Sequence, residues 1–377
     1  MVFFASMQLN FREVSRPTLL VDVDKARQNI FHMARKAQRN GIRFRPHFKT
    51  PQSAMASLWY RDAGVEHITV SSLDMAAYFL EAGWTDILVA FPVNLRTANQ
   101  INALASRCKL GLILESVETA RHLEAQLLHP CDLWLEVDCG HGRTGLPIEN
   151  EQSILQVSRE LSMFRNLNFK GLITHAGHSY QARGLSEIQA LHTTVKTRLI
   201  ALKQRLKASG LDGLQLSYGD TPTCSGCEDF DGIDEIRPGN FVFYDWMQVE
   251  IGSCKPADVA AVVACPVVTT YPEQGKAVIH GGAVHLSKDM LKDTEGRPFF
   301  GMVGLPAEGG WTAPLPGCKV VSLSQEHGVV QLSKEVMQVL RPGDLLMVYP
   351  VHSCLTADLM GSWLGTDGLK YTMMPRP

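Results

Sequence analysis

The chain has 377 residues, 45% of them hydrophobic, enough for one barrel of about 250 residues and a second domain of roughly 100. With 36 Lys and Arg against 38 Asp and Glu the formal net charge is −2, so no basic field points to nucleic acid or a membrane surface. The partner expected is a small molecule or a second copy of the chain. Nine scattered cysteines, no basic-then-apolar leader over Met1–Met7 and no apolar run near the roughly 20 residues of a membrane span predict a cytoplasmic protein with reduced thiols.

In chain order, Leu19–Asp22 reads as a short strand, and Asp24 is the expected cap of a helix to about Asn40, with Ile30, Met33, Ala34 and Ala37 on one stripe and Gly41 as the stop. Eight short apolar stretches follow: Arg43–Lys49, His67–Ser72, Asp86–Phe91, Lys109–Glu115, Asp132–Asp138, Phe169–His175, Leu214–Gly219 and Asp234–Gly239. Most are separated by enough chain for one helix, which predicts a TIM-type (β/α)8 barrel. Such barrels work at the C-terminal ends of their strands, here marked by Lys49, Ser72, Glu115, Asp138, His175, the Gly219 turn and Arg237. After Asp245 the period changes. Asp258–Thr270, Lys276–Ile279, Lys319–Ser324, Val329–Leu332 and Asp344–Val348 read as strands of a second, mainly β domain. The predicted division is 23–250 for the barrel, with 1–22 and 251–377 forming the β domain.

Five groups of residues carry the chemistry. In Arg45-Pro46-His47-Phe48-Lys49-Thr50, alternation puts Arg45, His47 and Lys49 on one face, and such crowding disfavours a charged amine. A lysine so placed can form a Schiff base, against the ordinary reading of a solvated surface lysine. Ser217–Thr223 and Arg237–Asn240 follow the last two strands, where barrels hold phosphate on backbone N–H groups freed by Gly219 and Gly239 and on hydroxyls such as Thr221. Lysine plus phosphate site suggests pyridoxal phosphate. Asp138–Gly145 presents Arg143 to a phenolate or carboxylate, unless it is a solvated turn. Thr174–Tyr180 offers His175 to lie against a cofactor ring and Tyr180 for hydrogen bonding or proton transfer, against purely structural roles. His352 and Cys354, on one side of extended chain, can converge on a divalent cation, with Zn²⁺ the natural choice and Mn²⁺ or Mg²⁺ as alternatives. Glu326-His327 can add a base. Cys224 and Cys227 have no second pair and are not read as a zinc site.

Taken together, Arg45–Thr50, His175–Tyr180, Gly219–Thr223, Arg237–Gly239, Glu326–Gly328 and His352–Cys354 resemble the D-threonine aldolase and D-serine dehydratase family, relatives of alanine racemase, over nearly the whole chain. Many relatives follow the lysine motif with His-Lys or Ser-Lys; this chain has Pro51-Gln52. The resemblance implies that Lys49 carries pyridoxal phosphate, Arg237 lies near its pyridine nitrogen, the Gly219 and Gly239 loops hold the phosphate, and His352 with Cys354 binds the metal; Arg143, His175, Tyr180, Thr221, Asn240 and Tyr244 are the further cofactor-binding residues expected. Lys49, Tyr180 and His327 are the expected catalytic groups. The implied activity is dehydration of a D-3-hydroxy amino acid to a 2-oxo acid and ammonia by a homodimer. Aldol cleavage to glycine and an aldehyde is the alternative. A metal-free racemase using Tyr271, Tyr349 or Tyr371, and a non-catalytic cofactor carrier, are the further readings.

Overall fold

The computed structural model describes residues 11–376, so the first ten residues of the predicted β-domain segment 1–22 lie outside it, as does the expectation about Met1–Met7. Eight parallel strands run in the order Arg43–Phe44, Glu235–Ile236, Gln215–Tyr218, Leu167–Thr174, Cys131–Asp138, Lys109–Leu114, Asp86–Pro92 and Ile68–Val70. A parallel bridge between His47 and Thr69 joins the two ends of this sheet, closing the barrel. Helices cover the outside. The first, Val23–Arg39, buries Ile30, Met33 and Ala37 as the stripe predicts, but its N-cap is Asp22, not Asp24. The Asp22 carboxylate accepts from Lys25 N–H at 3.0 Å, because the chain turns from strand to helix one residue after Val21.

A second sheet of nine strands contains all five stretches predicted after Asp245, and Thr18–Val21 pairs into it between Ala261–Tyr271 and Ser362–Gly365. Gly301–Gly304, Ser362–Gly365 and Lys370–Thr372 also belong to this sheet, and the sequence reading passed over them. Among the described residues no helix is long and apolar enough to cross a membrane.

One expectation about the first barrel strand is corrected. Arg45 does not stand beside Lys49; it faces the opposite end of the barrel interior, where it pairs with Glu235 at 2.7 Å and Asp86 at 2.6 Å. Alternation gives the face but not the depth, and four residues of extended chain span roughly 13 Å. Glu235 is fully buried and also accepts from Ser217 Oγ at 2.5 Å, so this end of the barrel is closed by a charge network with every partner supplied. Removing the acid leaves the buried Arg45 with Asp86 alone and takes the carboxylate partner from Arg43 and Ser217. Glu235→Ala should therefore lower unfolding stability by about 3–5 kcal/mol, read as a shifted urea midpoint; a loss below about 1 kcal/mol would show that Arg45 finds solvent instead.

Candidate active site

At the C-terminal ends of the strands lies a cavity of about 690 Å³. Lys49, Arg143, His175, Tyr180, Gly219, Thr221, Arg237, Gly239, Asn240, His352 and Cys354 all line it. Tyr244 does not; it is buried behind the wall, its hydroxyl 3.0 Å from Ser225 Oγ. His327 does not either, being exposed on the strand His327–Gln331. Tyr271, Tyr349 and Tyr371 are likewise absent from the lining. Ser72 caps the helix Leu73–Glu81, and Asp138 gathers the N–H groups of Gly140, His141 and Gly142, so both strand-end residues build loops rather than face the cavity.

Lys49 sits in the turn after the closing bridge, its side chain open to the cavity. His47 beside it is kept neutral by burial, reinforced by the charges of Lys49, Arg237 and Arg143. His175 donates through Nδ1 to the Gly219 carbonyl at 2.8 Å if that nitrogen carries the proton, which leaves Nε2 as an acceptor. Burial first, then Lys49 and Arg143, pushes its pKa down to about 3. Tyr180 is fully protonated at neutral pH, since burial and the nearby Asp220 charge both raise its phenol. Arg237 is buried, donating to Ser217 Oγ and, at 2.7 Å, to the Thr174 carbonyl. Burial lowers its pKa to about 10, still a cation.

The floor between the seventh and eighth strands fits a phosphate. A Cβ on Gly219 would lie 3.0 Å from Arg237 Cβ, and one on Gly239 3.0 Å from His47 Cβ, so both loops pack where a side chain does not fit. Asp220 caps the short helix Thr221–Gly226 and accepts from Thr223 N–H, Thr223 Oγ1 and Ser179 Oγ at 2.7, 2.6 and 2.9 Å. Thr221 Oγ1 and Asn240 Oδ1 are buried without partners among the described residues, and both residues line the cavity. With Lys49, Arg143 and Arg237 as cations around them, the residues present suit pyridoxal phosphate.

The metal pair also converges, though not on extended chain. His352 is the N-cap of the helix Ser353–Met360, Cys354 lies in its first turn, and Gly361 provides the left-handed stop at its C-terminal end. His352 Nδ1 is 2.8 Å from Asp289 Oδ2, a carboxylate that no local motif marks in the sequence. Such a carboxylate orients an imidazole and raises its basicity as a ligand. Burial opposes charging of His352, yet Asp289 and Cys354 lift its pKa to about 11. Burial equally opposes the Cys354 thiolate, yet His352, Lys49 and Thr50 hold its pKa below the ordinary value. A thiolate and an oriented imidazole facing one cavity suit a borderline-soft divalent cation. Pro51-Gln52 supports this arrangement: Gln52 Nε2 donates to the Lys49 carbonyl at 2.9 Å and to Asp358 at 3.2 Å, linking the lysine turn to the same helix.

His280, His285 and Glu326 form another group with metal-ligand atoms in reach of one another. His285 Nδ1 accepts from Gly282 N–H at 3.3 Å, and Glu326 Oε2 lies 3.5 Å from His280 Nε2 and 3.7 Å from His285 Nε2.

A closed parallel barrel with a lysine at the first strand end, anion-suited loops after the last two and an attached β domain defines the class of alanine racemase-like pyridoxal phosphate enzymes. Residues 21–245 match the family described as alanine racemase, N-terminal domain, and residues 260–365 match a putative serine dehydratase domain. The chain belongs to this alanine racemase N-terminal domain family. It is 30% identical over 374 residues to D-threo-3-hydroxyaspartate dehydratase of Delftia sp. (strain HT23), covering 96% of this chain and 97% of that protein. A D-serine dehydratase of Dictyostelium discoideum is 25% identical over 94% of each chain, and a 3-hydroxy-D-aspartate aldolase of Paracoccus denitrificans 25% identical over 96% of this chain and 92% of its own. A solved cysteine-to-alanine variant of the D-threo-3-hydroxyaspartate dehydratase, described as metal-free, superposes with a TM-score of 0.89 at 28% identity over 97% of this chain and 99% of that one.

The buried neutral imidazole of His175 has a consequence for acid stability. Its folded pKa, about 3, lies below the ordinary 6.5, so the unfolded chain binds a proton that the folded protein refuses. Stability is complete above pH 6.5 and is lost as pH falls from there towards 3, by up to about 1.4 kcal/mol per pH unit for this group. His175→Gln should flatten part of that slope in urea titrations of the cofactor-free protein at pH 7, 6 and 5, and an unchanged slope would assign the acid sensitivity elsewhere.

Proposed function

We propose that the protein is a pyridoxal phosphate- and divalent-metal-dependent lyase that dehydrates D-3-hydroxy amino acids, D-threo-3-hydroxyaspartate or D-serine, to a 2-oxo acid and ammonia. The observation that carries the reading is the opening of the Lys49 amine and the His352–Cys354 pair into one cavity. The barrel segment 23–250 then holds the cofactor and the β domain supplies the metal. D-configuration and substrate follow the relatives, and the aldolase among them keeps cleavage to glycine and an aldehyde as the second reading.

Pyridoxal phosphate supplies an electron sink for a negative charge at Cα. Lys49 would attach the cofactor, and its amine, once displaced by substrate, is placed to take the Cα proton. A divalent cation on His352 and Cys354 would supply Lewis-acid polarisation of the oxygen on Cβ. Thr221, Asn240 and the backbone of the Gly219 and Gly239 loops would bind the phosphate, and Arg237 would face the ring nitrogen. His175 would pack against the ring as a neutral base, adding no cation to a cavity already lined by Arg143 and Arg237. Tyr180, held protonated, donates hydrogen bonds and does not act as a base near neutral pH. The net reaction is redox-neutral: Cα–H and Cβ–O break, water leaves, and hydrolysis of the resulting enamine returns water and frees ammonia.

We also infer a homodimer, because Phe91 at the cavity rim and Val284, Met290 and Leu355 in the β domain are exposed apolar side chains. Nine free cysteines, none bridged, suit a reducing cytoplasm.

Borohydride reduction of the cofactor-loaded protein should fix the cofactor to the peptide containing Lys49, and Lys49→Ala should abolish that label; a label on another lysine sinks the assignment. Incubation with D-threo-3-hydroxyaspartate, D-serine and D-threonine should yield 2-oxo acid and ammonia, whereas glycine plus aldehyde would favour the second reading.

Chelation, or His352→Ala, should leave Lys49 labelling and Cα–H exchange in deuterated solvent intact. Both should suppress product formation by orders of magnitude, as expected when several kcal/mol of Lewis-acid stabilisation are lost. Undiminished turnover without metal would make the site structural and favour a racemase.

A further inference from the structure

Glu326 does not line the active-site cavity, and the Glu326-His327-Gly328 motif has no part in the site described above. The acid sits in the turn before the strand His327–Gln331, which pairs with Lys276–His280 so that His280 lies opposite His327. From His280 the chain passes through Gly281 and Gly282 into the short helix Ala283–Leu286, which carries His285. Backbone hydrogen bonds lock these two segments together. Gly281 N–H donates to the Glu326 carbonyl at 2.9 Å, Ala283 N–H to that of Ser324 at 2.8 Å and Val284 N–H to that of Gln325 at 3.2 Å. A Cβ on Gly282 would strike the Gln325 carbonyl, and one on Gly328 would lie 2.6 Å from the Gly281 oxygen, so the segments pack where only glycine fits. The backbone beneath His280, His285 and Glu326 is therefore set by the fold.

On that backbone the three side chains converge. One ligand atom from each lies within 4.8 Å of the other two. Glu326 Oε2 is 3.5 Å from His280 Nε2 and 3.7 Å from His285 Nε2, and the two rings stand edge to face with centroids 5.4 Å apart. Both separations are longer than a good hydrogen bond. They suit a shared ion, because nitrogen and oxygen ligands about 2.0–2.2 Å from one tetrahedral zinc stand roughly 3.3–3.6 Å from each other. Among the described residues no lysine or arginine pairs with Glu326, so no protein cation already occupies the acid. Ligation through His285 Nε2 puts the imidazole proton on Nδ1 and so gives up only the long 3.3 Å contact with Gly282 N–H. Both histidines line a second cavity, of about 830 Å³, that shares no lining residue with the active-site cavity.

We propose that His280, His285 and Glu326 form a second divalent-cation site, holding Zn²⁺ by two imidazole nitrogens and one carboxylate oxygen, with the fourth position left to water or a ligand in the second cavity. Two imidazoles suit zinc better than magnesium or calcium, which prefer oxygen alone. The ion ties the turn 324–326 to the helix Ala283–Leu286. The site shares no residue with the His352–Cys354 pair and stands independently of the activity proposed above.

The test is zinc binding to the full chain loaded with pyridoxal phosphate, in a His352→Ala/Cys354→Ala background that removes the ligand pair of the active site. Stripped of metal, this protein should take up one equivalent of Zn²⁺. X-ray absorption at the zinc edge should find nitrogen and oxygen neighbours at about 2.0–2.2 Å and no sulfur at about 2.3 Å. No uptake, or sulfur around the ion, overturns the proposal. Adding His285→Ala or Glu326→Gln should weaken binding at least about tenfold in competition with a chromogenic chelator, since even an outer-shell partner of a metal is worth that much. Glu326→Gln alters one exposed side chain and leaves the backbone pairing in place, so it reads the site without unfolding it. Unchanged affinity in that variant overturns the proposal as well.

Discussion

One buried carboxylate holds the two halves of the site in register. Asp245, 1% exposed, accepts from Asn240 Nδ2 at 2.6 Å and from Ser353 N–H at 2.9 Å, and it caps the helix Trp246–Ile251 through Gln248 N–H at 3.0 Å. Asn240 belongs to the phosphate-suited loop of the barrel; Ser353 lies between His352 and Cys354 in the β domain. The same Asn240 Nδ2 reaches Ser353 Oγ at 3.1 Å and Cys354 Sγ at 3.5 Å. A displacement of either domain by an ångström would break several buried hydrogen bonds to charge, so the separation between the Asn240 loop and the His352–Cys354 pair is fixed by the fold rather than by a ligand.

Charge in the cavity is managed by keeping the histidines nearest the lysine neutral. A further imidazolium at His47 would face Lys49, Arg237 and Arg143, and one at His175 would face Lys49 and Arg143. Burial prevents this at both. The one imidazole whose pKa rises, His352, is the one given a carboxylate and a thiol as partners. Within about 690 Å³ the neutral histidines near Lys49 and the His352–Cys354 pair thus differ through the neighbours each has.

The barrel and its working end were legible because short apolar strands each ended in one polar residue, and chain order gave each end its place. Lys49, Arg237, Gly219 and Gly239 were found on that ground. Depth was not legible: Arg45 alternates in phase with Lys49, yet serves the opposite end of the barrel. Glu136, which also lines the cavity, left a signal that went unread, an acid inside the apolar run Leu133–Val137, where a charged residue on an inward face needs a reason. Asp289 left none, since its pairing with His352 spans 63 residues and depends on tertiary packing. The helix Ser353–Met360 was read as extended chain because two polar residues at a spacing of two mimic a strand; Gly361 was the helix signal. Gly301–Gly304, Ser362–Gly365 and Lys370–Thr372 are at most four residues long, too short for a period to emerge.

The division of labour between the domains bears on how one scaffold supports several reactions. Every group suited to the cofactor, namely Lys49, His175, Arg237 and the two glycine loops, comes from the barrel, whereas His352, Cys354 and Asp289 come from the β domain. Stabilising charge at Cα needs only the first set. What happens next at Cβ depends on whether a Lewis acid polarises the oxygen there, which needs the second. On the proposed reading, a change confined to the His352–Cys354 side would act on chemistry at Cβ and spare the groups that would act at Cα, and the hydrogen bonds of Asp245 tie the two sets of residues together.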